Sequence, residues 1–185
     1  MSPPARLLPF FGFSALIAAA DQILKRAVAA NLHLGESRVL IPDFLNLTHF
    51  RNRGGAFSLL AWLPPVWGRA FFIAATLGVL VFVFYLYRSN SPETHFGSVS
   101  LILVFGGGLG NLVDRILLGE VVDFILFYWG NSYWPAFNLA DSCITVGVAL
   151  LALEIIRNPY GDPPPPSGDS AAADEPPESP PESQE

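Results

Sequence analysis

Residues 96–117 read FGSVSLILVFGGGLGNLVDRIL, an apolar run long enough to cross a hydrocarbon core, which takes about 20 largely apolar residues in a helix. Its polar residues gather at one end: Asn111, Asp114 and Arg115 stand at i, i+3 and i+4, a spacing that places them on one helix face. Charges inside a spanning segment are costly enough that they usually mark a function. Gly106 and Gly110, with Gly107 and Gly108 between them, have the spacing that lets helices pack closely in lipid. They are assigned no chemistry.

Three more stretches share this character: about Leu7 to Ala27, Arg69 to Tyr87, and Asn138 to Ile156. The expected fold is therefore an all-α membrane protein with four transmembrane helices. The first stretch carries Asp21, Gln22 and Lys25 near its end, and the fourth carries Asn138 and Asp141 near its start. Threading the chain up, down, up and down brings these two clusters and that of the third helix to one membrane face. The second stretch is almost wholly apolar and reads as a lipid-facing anchor.

Composition agrees. Hydrophobic residues make up 51% and charged residues 14% of the 185, against roughly 25% charged in a soluble domain. The net charge of −6 comes from the tail, residues 158–185, which has seven acids, nine prolines and neither Lys nor Arg. That tail is expected to be disordered. The remaining body, 1–157, reads as one domain with 10 basic and 9 acidic residues, which offers no basic stripe for nucleic acid. The single cysteine, Cys143, reads as a packing residue. The N-terminal apolar run leads into Asp21 rather than a small-residue cleavage site, so it reads as a retained helix.

The loop between the first two helices, residues 28–68, alternates in strand fashion over Arg38–Ile41 and Phe44–Phe50, which predicts a small sheet over the polar face. Trp62, Pro64, Pro65 and Trp67 follow it. Tyr128, Trp129, Tyr133 and Trp134 form a second aromatic group before the fourth helix, and both groups suit a bilayer interface.

Asp123 lies in the connection after the third helix, eighteen residues before Asp141, at the same membrane level. Two carboxylates brought close cannot both ionise easily, so one keeps a proton while the other can deprotonate water. Such a pair can hydrolyse an amide. Asp114 with Arg115 reads more simply as an ion pair holding the helix end, and Asp21 with Lys25 as a helical i,i+4 pair. Asp123 and Asp141 have no basic sequence neighbour to explain them. His33, His49 and His95 lack zinc-ligand spacing, so neither metal nor cofactor is expected. Intramembrane carboxylates also mark ion pathways, but a transporter more often shows inverted repeats and helices broken near their middles. A non-catalytic scaffold leaves the convergent Asp and Asn residues without a purpose.

Five motifs together resemble the lipoprotein signal peptidase (signal peptidase II) family: Asp21-Gln22-x-x-Lys25, Asn52-Arg53-Gly54-Gly55-Ala56-Phe57-Ser58, Gly110-Asn111-Leu112-Val113-Asp114-Arg115, Gly119-Glu120-Val121-Val122-Asp123-Phe124, and Phe137-Asn138-Leu139-Ala140-Asp141. The resemblance spans about residues 7–157. It implies a bacterial inner-membrane aspartic endopeptidase that cuts diacylglyceryl-modified prolipoproteins before the lipidated cysteine. A lone chain supplies every group such a mechanism needs, so no obligate protein partner is expected and the chain reads as a monomer. It implies that Asp123 and Asp141 are the catalytic pair. Asn52, Gly54, Asn111, Arg115 and Asn138 are then expected to shape the site, and Asp114, Asp21 and Lys25 to support it. It also implies cytoplasmic termini and a periplasmic site, with loop 28–68 as a β-rich extracytoplasmic unit. The charge count points the other way: Lys25, Arg26, Arg38, Arg51, Arg53, Arg69 and Arg115 lie on the polar-cluster face, against Arg6, Arg88 and Arg157 on the face of the termini. A literal positive-inside reading puts the former in the cytoplasm.

Overall fold

The computed structural model describes residues 3–53, 64–89 and 95–157. Its helices are α1 (Pro3–Asn31), α2 (Pro65–Ser89), α3 (His95–Leu117) and α4 (Leu139–Arg157), and its strands are β1 (Ser37–Ile41), β2 (Leu45–Asn52), β3 (Val121–Trp129) and β4 (Ser132–Tyr133). All four helices are long and apolar enough to cross a membrane. A 25-residue helix such as α2 reaches roughly 37 Å at 1.5 Å per residue, more than a core of about 30 Å requires.

Helix α3 is the centre of the bundle and packs against α1, α2 and α4. Its glycines allow this. A methyl group on Gly107 would lie 2.5 Å from the Ala140 carbonyl oxygen of α4, and one on Gly106 would lie 2.9 Å from Ile17 Cβ of α1. The backbones therefore meet without intervening side chains. Toward the N-terminal end of α1, Phe10 is wholly buried. Its ring stacks on Tyr87 of α2 at 4.2 Å and lies 4.9 Å from Phe105 of α3. Helix α2 is thus more than an anchor: Leu80, Val83 and Tyr87 join this core, while Val79, Val81 and Phe82 face outward.

The strands form one antiparallel sheet in the order β1-β2-β3-β4. Its underside packs through Phe124 on Val28 and Leu32 at the end of α1. These contacts carry α1 four residues beyond the expected Ala27. The expected strands appear as β1 and β2, but the segment read as a connection after the third helix is strand β3, paired with β2 so that Phe50 faces Asp123. Gly119 makes the sharp turn from α3 into β3, with φ of +80° and its N–H on the Arg115 carbonyl at 3.2 Å. A side chain rarely adopts that conformation, whereas glycine does so freely. Trp62 and the tail lie outside the described residues.

Candidate active site

Asp123 and Asp141 come from a strand and a helix start, and Asn138 joins them. The Asn138 Oδ1 accepts the Asp141 backbone N–H at 2.9 Å, while Asp141 Oδ2 accepts the Asn138 backbone N–H at 3.3 Å. This reciprocal cap satisfies donors that would otherwise be orphaned at the start of α4. It also leaves the Asn138 amide nitrogen aimed at Asp123 Oδ1, 2.8 Å away. Asn52, near the end of β2, donates to Asp123 Oδ2 at 3.2 Å. Asn111 donates to Asp141 Oδ1 at 2.7 Å. Each of the four carboxylate oxygens thus receives an N–H, from a side-chain amide or from the backbone.

Only 3% of Asp123 is exposed. Burial, with the nearby Asp141 charge adding to it, pushes its carboxyl up to about 7, against the pull of the Asn52 and Asn138 amides. Both aspartates line a cavity of about 310 Å³ with Asn52, Arg115, Trp134 and Phe137. An apolar recess of about 370 Å³ between Phe44, Phe127 and Trp129 shares Trp134 and Phe137 with it. A carboxyl that titrates near neutrality beside a second carboxylate, in a cavity with an apolar annex, can give and take protons in a partly dry place.

The remaining predicted residues divide into two groups. Arg115 lines the cavity, its guanidinium 5.1 Å over the Phe72 ring of α2. Asp114 does not pair with it. Adjacent helical residues point about 100° apart, and Asp114 faces α1, where Lys25 Nζ sits 3.0 Å from Oδ2 and Gln22 Nε2 donates to Oδ1 at 2.7 Å. The pair expected between Asp21 and Lys25 forms at 2.7 Å but belongs to this wider cluster. Gln22, which the sequence placed in a polar cluster without a role, also donates to the Gly110 carbonyl at 3.1 Å. No pattern in the sequence pointed to Phe72. Glu120, at the turn into β3, binds Arg51 at 3.3 Å and Arg53 at 2.9 Å. Burial opposes its ionisation, yet the two guanidiniums hold its carboxyl below the usual range. Gly54 lies outside the described residues.

Known proteins are similar to this chain over most of its length. The family described as signal peptidase (SPase) II matches residues 13–157. A protein of Geobacter metallireducens named lipoprotein signal peptidase is 45% identical over 138 residues, which is 75% of this chain and 84% of that one. One of the same name from Paraburkholderia phymatum is 40% identical over 163 residues, 87% of this chain and 96% of that one. A solved structure titled as a bacterial membrane enzyme, determined by the in meso method, superposes with a TM-score of 0.74 at 32% identity, covering 86% of this chain and 94% of that one. A second of the same description gives 0.71 at 34% identity, covering 81% and 94%. The match runs through all four helices and the sheet, and with it this chain belongs to the signal peptidase II family, the bacterial membrane enzymes that remove signal peptides from lipoprotein precursors.

Proposed function

We propose that Asp123 and Asp141 are the catalytic pair of an aspartic endopeptidase that cuts diacylglyceryl-modified prolipoproteins just before the lipidated cysteine. The observation that carries this reading is their shared cavity, with every carboxylate oxygen held by an N–H. Asp123, the more buried of the two and raised toward neutrality, holds the proton, and Asp141 is the base. Asp141 takes a proton from the attacking water while Asp123 gives its own to the scissile carbonyl oxygen, forming a tetrahedral diol. Asp141 then gives its proton to the cysteine nitrogen while Asp123 takes one back from a diol hydroxyl, and the C–N bond breaks to leave the signal peptide's carboxyl and the free cysteine amine. Arg115 keeps positive charge at the cavity wall, and Asn52, Asn111 and Asn138 fix the carboxylates without neutralising them.

A lipidated cysteine is anchored by its acyl chains at about 0.8 kcal/mol per buried methylene, so the bond to be cut stays at the membrane surface. The aromatic recess beside the cavity gives an apolar substituent a place to lie. The site then faces the periplasm with both termini in the cytoplasm, and Lys25 and Arg115 on the polar face serve the site rather than the topology. One chain supplies every group this mechanism uses, which supports a monomer.

The experiment is cleavage of a diacylglyceryl-modified prolipoprotein by purified protein in detergent, comparing wild type with Asp123→Asn and Asp141→Asn. Cleavage by wild type alone supports the pair. Undiminished cleavage by either variant removes that residue from it.

A further inference from the structure

Lys25 is 2% exposed and lies within the spanning part of α1. Three oxygens surround its ammonium: Asp21 Oδ2 at 2.7 Å and Asp114 Oδ2 at 3.0 Å in ion pairs, and Asn111 Oδ1, which accepts from it at 3.1 Å. Two of these partners also hold backbone. Asp21 Oδ1 accepts the Ala140 N–H at 3.0 Å, and Asp114 Oδ2 accepts the Val122 N–H at 3.0 Å. Ala140 and Val122 are the residues immediately before Asp141 and Asp123. The third partner, Asn111, has its oxygen engaged by the ammonium and presents its nitrogen to Asp141 Oδ1 at 2.7 Å.

We propose, resting on the reading of Asp123 and Asp141 as the reacting pair, that Lys25 is their positioning residue, one hub that sets the spacing of the two aspartates and the orientation of the Asn111 amide. A bundle that needed only packing would be served as well by apolar residues, since buried ion pairs are often neutral for stability against well-packed hydrophobic ones. Here the charge does more. With Lys25 in place, the Asn111 amide cannot turn its oxygen toward the Asp141 carboxylate, because that would set its NH2 against the ammonium. The charged groups around the hub are Asp21 from α1, Asp114 and Arg115 from α3, Asp123 from β3 and Asp141 from α4. From α2, Phe72 lies under Arg115, and Arg69 donates to the Ile116 carbonyl near the end of α3.

The test uses the full-length protein in detergent with the diacylglyceryl-modified precursor, and Asp141→Asn as the inactive control. Lys25→Met is expected to lower kcat by roughly 100-fold, as misplacement of about 1 Å does, with KM within about twofold. Both limbs of its pH profile move upward, because a positive charge near the pair has gone. Asp21→Asn keeps one oxygen in the cluster and leaves Lys25 balanced by Asp114; its limbs move downward, because a negative charge near the pair has gone. Asp21→Ala also loses the oxygen, and its kcat falls about tenfold further than that of Asp21→Asn, as weakened positioning requires.

Limbs that stay at the wild-type pH in Lys25→Met, or a loss confined to KM, overturn the proposal. If Lys25→Met does not fold, Asp21→Asn and Asp21→Ala decide: equal kcat and unmoved limbs overturn it, and the split described above supports it. A wild type that cleaves nothing, or an active Asp141→Asn, defeats the reading of the pair instead. The hub is then tested by carbon NMR titration of the Asp123 carboxyl, which moves upward in Lys25→Met if the proposal holds and stays in place if it does not.

Discussion

Replacing Gly107 with alanine would place a methyl carbon 2.5 Å from the Ala140 carbonyl oxygen and 2.8 Å from Ile144 Cγ1. The nearer neighbour is backbone and cannot rotate away, so α3 and α4 must part. Reaching an ordinary contact of 3.4 Å from 2.5 Å opens the crossing by about 0.9 Å, at the residue next to Asp141. Overpacking of this kind costs about 1–3 kcal/mol, against a gain of roughly 1 kcal/mol in helix propensity. The expected net loss is about 0–2 kcal/mol of stability, with a fall in kcat on the order of 100-fold for a misplaced aspartate. Gly78→Ala is the control, because nothing lies within 4 Å of that position in α2. It should be as stable as wild type or more so, and equally active. Stability is read from unfolding in mixed micelles as the fraction of SDS rises, and activity from cleavage of the lipidated precursor. A Gly107→Ala protein that matches Gly78→Ala in both would refute the claim that backbone contact at this crossing sets the site.

Asp123 is raised from 3.8 to about 7 in the folded chain, by burial and then by Asp141, so the native state holds a proton through this window that the unfolded state has lost. Stability therefore falls as pH rises across it, by at most about 1.4 kcal/mol per pH unit, and Asp123→Asn should flatten the slope and be more stable than wild type above neutral pH, as midpoints of unfolding against pH would show. Phe10→Ala removes a wholly buried ring from the core remote from the site. In lipid the loss is packing rather than transfer from water, so about 2–3 kcal/mol is expected, at or below the low end for such truncations, with kcat unchanged in the same two assays.

The four spans were legible because lipid demands length and apolarity, and both can be counted along the chain. The convergence of Asp21, Lys25, Asn111, Asp114, Asn138 and Asp141 was legible because threading alone sends those helix ends to one face. Strand β3 was not. Val121 to Trp129 reads VVDFILFYW, and its first half is buried on both sides, so the apolar residues run almost continuously and the alternation that reveals a half-buried strand is missing. The partner of Asp114 was hidden for a different reason. Arg115 is its neighbour in sequence, but one residue is 100° of rotation, and which carboxylate meets Lys25 depends on how α1 crosses α3. Gly106 to Gly110 announced close packing without saying that Gly107 meets the residue beside Asp141.

The cap at the start of α4 has a consequence for how such a protease is kept safe. Asn138 and Asp141 close the first turn by bonding each other, and the same two side chains reach Asp123 and Asn111. If that turn frays, Asp141 loses two of its donors and Asn138 withdraws from Asp123 at the same moment. If Asp123 and Asp141 are the reacting pair, a chain whose last helix has not docked holds neither carboxylate in place and is expected to leave its neighbours uncut. On that reading, proteolytic competence depends on the docking of the last helix, and the turn that begins α4 is also the turn that arms the site.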